Sequence, residues 1–333
     1  MIKFTGTDLV RKFFFLRFNE PHLEQFINLY ANELKMIRHT FFILLMVGLF
    51  SCQAPDTSEK EEWITLFNGT DLSDWTIKFA NQDLDVNHRN TFRIKDSMIR
   101  IAYDQYDTFE DAYAHMYYKK PYSYYKLRFD YRFTGEQVPG GEDWNVRNSG
   151  IMLHSQSVES NDYGQYFPVS IEIQLLGGLG AGERPTGNVC TPGTALVMEG
   201  KVDYRHCISS NSKTYHGDRW VSAEVVVLGG ESITHLIEND TVLKYQNPQI
   251  GGGFTNPKMG EKDWTSRGVV KSKDHWIAKE GELLTQGYIS LQAESHPIDF
   301  KNIRLLDLCG CKDFKAKNYK SYFVKADNSL CIY

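Results

Sequence analysis

Apolar and polar residues alternate along much of the chain after residue 62, and a period of two predicts β-strands. The clearest case is Tyr124–Phe133 (YYKLRFDYRF), in which every second residue is apolar. In Ser170–Gly178 (SIEIQLLGG) the apolar residues share one face, while Glu172 and Gln174 share the other. This second strand therefore carries an acid on the face away from the core. We expect that face to be open to solvent and to border a substrate groove.

The whole pattern predicts about ten short strands and few segments with helical periodicity. Two hairpins are predicted, at residues 91–103 and at residues 233–243, each with a polar turn between alternating segments. Without a repeating βαβ order, these strands favour an all-β sandwich over an α/β fold. Residues 248–279 are predicted to form a long polar insertion. Residues 309–333 differ in composition and are interpreted as a small Cys-bounded tail module.

The N-terminal part of the chain contains an internal start signal. A short basic lead begins at Met36, an apolar run occupies Phe41–Phe50, and Ser51-Cys52 follows at once. The run is too short to span a bilayer, and the pattern resembles a bacterial lipoprotein signal with Cys52 as the lipidated residue. Residues 53–61 then form a tether. The alternative is a buried helix that begins the fold.

This signal predicts an exported protein that is anchored by lipid in the bacterial envelope, in the periplasm or at the outer-membrane surface. Residues 1–35 lie upstream of the signal and are interpreted as an over-extended start, with a cytoplasmic extension as the alternative. Membrane contact is expected through the lipid only.

The other cysteines indicate disulfides, because an exported protein folds in an oxidising compartment. Cys190 and Cys207 are expected to pair. Cys331 is expected to pair with Cys311 or with Cys309, which leaves one odd thiol. The two neighbouring cysteines of the tail have no second half at metal-binding spacing, so no zinc site is predicted.

Composition narrows the function classes. The net charge is -5 and there is no long basic run, which argues against a nucleic-acid partner. Aromatic residues make up 14% of the chain. Aromatic rings favour strands and also form stacking platforms for sugars, and the charge balance leads us to expect a neutral substrate.

Six motifs occur in a characteristic order, and together they resemble the 3-keto-disaccharide hydrolase domain family. They are NGTDLSDW at 68–75, NSGI at 148–151, EIQ at 172–174, TG at 186–187, GYISLQ at 287–292 and FKNIRL at 300–305. The resemblance covers residues 62–308. It implies a concanavalin A-like jelly roll whose concave sheet binds sugars.

The resemblance also implies an activity, the cleavage of 3-keto-glycosides or 3-keto-disaccharides. A ketone at C3 acidifies the hydrogen on C2, so one base can remove it and the C1 substituent can leave, with net hydrolysis after water adds. The alternative is a non-catalytic glycan-binding surface lipoprotein. A third reading is a conventional glycosidase, which needs two carboxylates roughly 5 to 10 Å apart.

Within this family interpretation the candidate residues divide into two groups. Catalytic roles are assigned to Glu172, His154 and His296. Substrate contacts are assigned to Gln174, Arg147, Asn148, Gln292, Glu294 and Trp144. Arg147 is also a candidate to bind the enolate oxygen.

Residues 288–294 carry a second polar face. If their strand lies in the concave sheet, Gln292 and Glu294 approach Glu172, and the two acids push each other's pKa values apart. His115 is interpreted as structural and His206 as a candidate of a binding loop. No cofactor is expected to be required; the metal is left unknown, with a divalent cation such as calcium as the alternative.

Overall fold

The computed structural model describes residues 60–252, 254 and 263–333, which fold as two packed antiparallel β-sheets. The predicted over-extended start, the lipoprotein signal with Cys52 and nearly all of the tether lie outside the described residues. Within the described ranges, no helix is long and apolar enough to cross a membrane.

Nineteen strands and one short α-helix are formed by these residues. In chain order they are β1 (Ile64–Thr65), β2 (Trp75–Phe79), β3 (Phe92–Lys95), β4 (Met98–Ile101), β5 (Ala114–Tyr118), β6 (Tyr124–Phe133), β7 (Asn148–Ser155), β8 (Ile171–Leu176), β9 (Asn188–Cys190), β10 (Thr194–Met198), β11 (Lys201–Asp203), β12 (Cys207–Ile208), β13 (Val221–Leu228), β14 (Ser232–Ile237), β15 (Asp240–Ile250), α1 (Lys273–Ala278), β16 (Tyr288–Ala293), β17 (Ile298–Asp307), β18 (Cys309–Gly310) and β19 (Lys325–Ala326).

The larger sheet has ten strands, in the order β11-β10-β15-β14-β13-β6-β17-β4-β3, with β1 paired to β17. The smaller sheet has seven strands, in the order β12-β9-β8-β7-β16-β5-β2. Strands that are distant in sequence are neighbours in both sheets, which is the topology of a jelly-roll sandwich. The predicted all-β fold class is confirmed.

Alternation along the strands builds the core between the sheets. β6 has the predicted bounds, and its inward residues are buried while its outward residues are not. On β8, Ile171, Ile173 and Leu175 are each 0% exposed. Burying a side chain of this size contributes about 1.5–3 kcal/mol, so the two inward faces hold the sandwich together.

The other face of β8 departs from the prediction that it would be open. Glu172 is only 6% exposed. Part of the cover comes from the described residues of the predicted polar insertion (248–279), which help to form a second small core. Its members are Val169, Ile250, Phe254, Trp264, Val269 and Trp276. The insertion has few apolar residues among many polar ones, so its sequence shows no periodic pattern that would predict this core.

Both disulfides expected from the sequence are present. Cys190 bonds to Cys207 across the β9–β12 pair, where the two residues stand directly opposite each other. In the tail Cys311 bonds to Cys331, which resolves the alternative left open by the sequence, and Cys309 carries a free thiol. β18 and β19 pair in parallel within the same tail.

Candidate active site

The acid of β8 lies over a glycine of the neighbouring strand. In the β7–β8 pair, Gly150 stands opposite Gln174 and Met152 stands opposite Glu172. A Cβ atom at Gly150 would collide with the Glu172 carboxyl group. Only glycine leaves room for that carboxyl group to lie across β7, which gives the glycine of the NSGI motif a physical reason.

Across this gap the Glu172 carboxylate reaches the polar face of β16. The Gln292 amide nitrogen donates to Glu172 Oε1 at 3.3 Å and to Glu294 Oε2 at 2.7 Å. Gln292 is 1% exposed and Glu294 is 2% exposed. The two acids and the amide therefore form one buried group, as the shared polar face of residues 288–294 predicts.

A histidine on β5 orients the bridging amide. His115 pairs with Gln292 in the register of β5 and β16, and its Nε2 lies 3.2 Å from Gln292 Oε1. Burial lowers the pKa of His115 to about 4, so the ring is neutral near pH 7. The neutral ring donates from Nε2 to the amide oxygen, and this turns both amide hydrogens toward the acids. His115 is structural, as expected, but the structure it supports is the acid pair.

The two acids share an unusual electrostatic environment. Burial raises the pKa of Glu172, and the bond from Gln292 offsets only part of this effect. Burial and the charge of Glu172 raise the pKa of Glu294 further, and the charge of Arg267 opposes this rise. Two buried carboxyl groups that share one amide donor do not both ionise near neutral pH. The pair can therefore hold one carboxylate, which accepts a proton, beside one carboxylic acid, which donates one.

Both acids line a cavity of about 670 Å³. The Cys190–Cys207 disulfide forms part of the wall, and Cys190 stands opposite Glu172 in the β8–β9 register. His206, next to the disulfide in sequence, also lines the cavity, which agrees with its assignment to a binding loop.

Besides Glu294, three further predicted substrate contacts line the same cavity, Trp144, Asn148 and Gln174. Trp144 is 42% exposed and its ring is stacked parallel to that of Tyr113. Asn148 donates to the Trp144 carbonyl at 3.1 Å, and its own side-chain oxygen is buried without a protein partner. Gln174 accepts a bond from Asn188 at 3.1 Å. An aromatic face, an unused amide oxygen and a fixed amide suit a ligand with many hydroxyl groups.

His154 is not brought to the acid pair, contrary to the expectation from β-strand alternation. Its φ of 48° breaks the alternation near the end of β7. The ring instead contacts the Gly229 carbonyl, at 3.0 Å from Nε2, and meets Tyr125 edge-on. Burial lowers the pKa of His154 to about 4, so it stays neutral in this internal position.

His296 and Arg147 also lie away from the lining of the cavity. His296 packs edge-on against Phe133 with ring centroids 5.7 Å apart, and burial lowers its pKa to about 4. Arg147 pairs with Asp218 at 3.0 Å, and its guanidinium lies over the Phe133 ring. The sequence does not predict the pairing of Arg147 with Asp218, because the two residues are distant along the chain.

Sequence reasoning missed three charged residues of the cavity, Asp143, Arg184 and Arg267. Arg267 comes from the insertion and lines the cavity together with both acids. No local motif surrounds it, and only the fold of the insertion brings it to the site. Among the described residues, no group of three or more His, Cys, Asp or Glu side chains is placed to hold a metal ion.

Comparison with known proteins gives one family. The model of the 3-keto-alpha-glucoside-1,2-lyase-like domain matches residues 62–306, in agreement with the motif resemblance. No curated protein sequence matches the chain.

Solved structures with a similar arrangement of strands are distant. A putative glycosyl hydrolase from Parabacteroides distasonis has 16% identity and a TM-score of 0.42, covering 74% of this chain and 99% of its own. A Bacillus subtilis protein of unknown function with a galectin-like fold has 9% identity and a TM-score of 0.42, covering 74% of this chain and 97% of its own. A carbohydrate binding module from the same species has 9% identity and a TM-score of 0.34, covering 76% and 100%. At these values the likenesses carry no argument about function.

Proposed function

The chain belongs to the 3-keto-alpha-glucoside-1,2-lyase-like domain family, and we propose that it cleaves 3-keto-glycosides by removing the proton on C2 and releasing the C1 substituent. The observation that carries the proposal is the buried pair of Glu172 and Glu294 on one amide at the cavity floor. Membership of the family by itself supports a carbohydrate-active role.

In the first step the Glu172 carboxylate takes the hydrogen of C2. The electron pair of the C–H bond moves into the C2–C3 bond, and the C3 ketone becomes an enolate. We assign the base to Glu172 because it is the more exposed of the two acids in the cavity, 6% against 2%, and burial raises its pKa. The raised pKa brings this base toward the working pH and makes it stronger than an exposed carboxylate.

In the second step the enolate returns its electron pair and the bond from C1 to the glycosidic oxygen breaks. Glu294, still protonated, gives its proton to the departing oxygen. The product is a 2-hydroxy-3-ketoglycal, and addition of water across its double bond gives the free 3-keto sugar. One base and one acid on the same side of the cavity are sufficient, whereas an inverting glycosidase separates its two carboxyl groups by roughly 6.5–9.5 Å.

The purified chain should convert 4-nitrophenyl 3-keto-α-glucoside or a 3-keto-disaccharide to ketosugar or 2-hydroxy-3-ketoglycal, detected by mass spectrometry. Unoxidised glycosides should not be cleaved. Binding of unoxidised oligosaccharides at micromolar Kd, with no turnover of any 3-keto substrate, would instead identify a glycan-binding lipoprotein.

The same proposal places the protein in the bacterial envelope, anchored through Cys52. The signal at 36–52 supports export, and the two disulfides suit an oxidising compartment. A Cys52→Ser variant expressed in its host should leave the membrane fraction. If it stayed there to the same extent as the unmodified chain, the lipid anchor would be excluded.

A further inference from the structure

The proposed reaction leaves one charge without a partner, the negative charge that develops on the C3 oxygen in the enolate. Enzymes that form enolates place a hydrogen-bond donor or a cation at this oxygen. The sequence suggested Arg147 for this purpose, but its guanidinium is held by Asp218 and by the Gly217 carbonyl. Another cationic group must serve the acid pair.

Among the described residues, two arginines line the cavity, and only one of them has unused N–H donors. Arg184 donates to the carbonyl oxygens of Arg147, Gly177 and Val146 at 2.6 to 3.1 Å, so its guanidinium is committed to the backbone. The guanidinium of Arg267 forms no ion pair and no hydrogen bond with any residue of the described ranges. It lies over the Trp144 ring, 6.0 Å from the centroid.

The fold fixes the backbone that carries Arg267. The Arg267 carbonyl accepts from the Tyr166 amide at 2.9 Å. Asp162, which is 9% exposed, accepts from the amides of Val270 and Ser272 at 2.6 and 3.1 Å. The next residue, Gly268, lies so close to the Gly164 carbonyl that a Cβ atom would not fit. The backbone is thus held at Arg267 itself and in the residues that follow it, so the arginine starts from a fixed position in the fold.

Arg267 lines the same cavity as both acids. Burial lowers the pKa of His206 and the charge of Arg267 lowers it further, and the same charge opposes the rise in the pKa of Glu294. In the proposed reaction the enolate oxygen is bonded to C3, the carbon next to the one that loses its proton. A substrate held in this cavity with C2 at the acid pair can therefore present that oxygen to a donor on the cavity lining.

We propose that Arg267, supplied by the insertion, binds the C3 oxygen of the substrate and stabilises the enolate that Glu172 generates. This inference rests on the proposed function and assigns it a third chemical group. The guanidinium polarises the ketone before proton loss and carries two hydrogen bonds to the oxygen afterwards, while its own proton stays in place. The Trp144 ring is stacked on Tyr113 and supports the guanidinium through a cation–π contact.

The test uses three variants of the full chain with 4-nitrophenyl 3-keto-α-glucoside. Arg267→Met removes the charge at similar length, Arg267→Lys keeps a charge, and Arg219→Met is the control. Arg219 is exposed, lies over Tyr215 and does not line the cavity. Thermal melting of each variant checks that the fold persists.

Arg267→Met should lower kcat by about 10²–10³-fold, the usual effect of losing one oxyanion donor. Inhibition by the unoxidised 4-nitrophenyl α-glucoside, which forms no enolate, should change less than about fivefold. Arg267→Lys should retain at least a tenth of the wild-type kcat, and Arg219→Met nearly all of it.

The inference is overturned if the wild type is active and Arg267→Met keeps kcat within about threefold, or if the loss appears only in KM. A wild type that neither cleaves the 3-keto substrate nor releases its C2 hydrogen would overturn the proposed function and the role of Arg267 with it. The two failures are therefore distinguishable.

Discussion

Two sets of buried carboxyl groups, Asp299 in the larger sheet and the pair of Glu172 and Glu294 at the smaller sheet, have opposite chemistry. Asp299 on β17 is 0% exposed and accepts from Arg100 at 2.6 and 2.7 Å and from Arg132 at 2.6 Å. These two guanidiniums hold the pKa of Asp299 below its usual value despite its burial. In the part of the chain that the structure describes, Glu172 and Glu294 form no ion pair with an arginine, and burial raises their pKa values.

Burial alone does not decide whether a carboxyl group keeps a fixed charge or exchanges a proton. A carboxylate between two arginines keeps a fixed charge and stabilises the larger sheet. A pair of carboxyl groups on one neutral amide holds a proton that it can exchange. The experiments below test this difference between a structural acid and a chemical one, in order of decreasing effect.

The largest effect is expected from Glu172→Gln. The amide has the shape of the acid but cannot accept the C2 proton, so turnover of a 3-keto-disaccharide should fall by about 10³-fold or more. The free energy of unfolding should stay the same or rise, because a buried ionisable group is removed. Steady-state kinetics and urea unfolding measure the two quantities, and full activity in this variant would remove Glu172 from the mechanism.

Asp299→Asn should show the reverse. Removing the acid leaves two arginines without their partner, and breaking a buried ion pair in this way costs about 3 kcal/mol of unfolding free energy. Turnover per folded molecule should remain near wild type, because Asp299 does not line the cavity. An unchanged urea midpoint would contradict the structural role given to Asp299.

Glu294→Gln separates the acid from the base. With a disaccharide substrate, whose departing alcohol needs a proton, turnover should fall by about 10²-fold. With 4-nitrophenyl 3-keto-α-glucoside, whose leaving group departs as an anion, the loss should be only a few-fold. Equal losses with both substrates would mean that Glu294 is not the acid.

His115 offers a smaller test of how the pair is held. His115→Phe removes the donor to Gln292, so the amide can rotate, and we expect kcat to fall about tenfold and the acidic limb of its pH profile to move. His115→Gln presents an N–H at nearly the same place and should restore both. His235→Phe is the matched control, since His235 is buried like His115 (0% against 3% exposed) but bonds to Gly187 and Tyr245. If this control moved the limb equally, the effect would be one of general packing.

The smallest effect is a pH dependence of stability. The folded-state pKa values of Glu172 and Glu294 lie above their unfolded value, so their contribution is favourable below about pH 4.5 and is lost as the pH rises through the folded pKa. Asp299 has a lowered pKa, and its contribution is present above about pH 3.8 and is lost as the pH falls.

Urea unfolding across this range should therefore show Glu172→Gln gaining on the wild type as the pH rises, by at most about 1.4 kcal/mol per pH unit. The deficit of Asp299→Asn should shrink as the pH falls below 3.8. Two difference curves with the same sign of slope would contradict the comparison.

The sequence predicted much of this fold because alternation depends on local sterics. β6 and β16 have the predicted bounds, and the polar face of residues 288–294 meets Glu172 as expected. The family motifs identified the strands that carry the site, although a lone EIQ or NSGI would not have done so.

What the sequence did not reveal depends on contacts between distant segments or on single backbone angles. The positive φ of His154 turns its ring away from a face that alternation assigned to it. Arg147 forms an ion pair with Asp218 and does not line the cavity. Arg267 belongs to an insertion whose small core has too few apolar residues to give a periodic signal. The cover over Glu172 has the same origin.

The most direct test of Glu172 as the base follows deuterium placed at C2 of a 3-keto-disaccharide. With the wild type, the account predicts that the label passes to water, so the ketosugar product carries hydrogen at C2, faster than in a sample without protein. With Glu172→Gln, uncleaved substrate should keep its label. Cleaved product that retains the deuterium, or label loss by Glu172→Gln at the wild-type rate, would contradict the account.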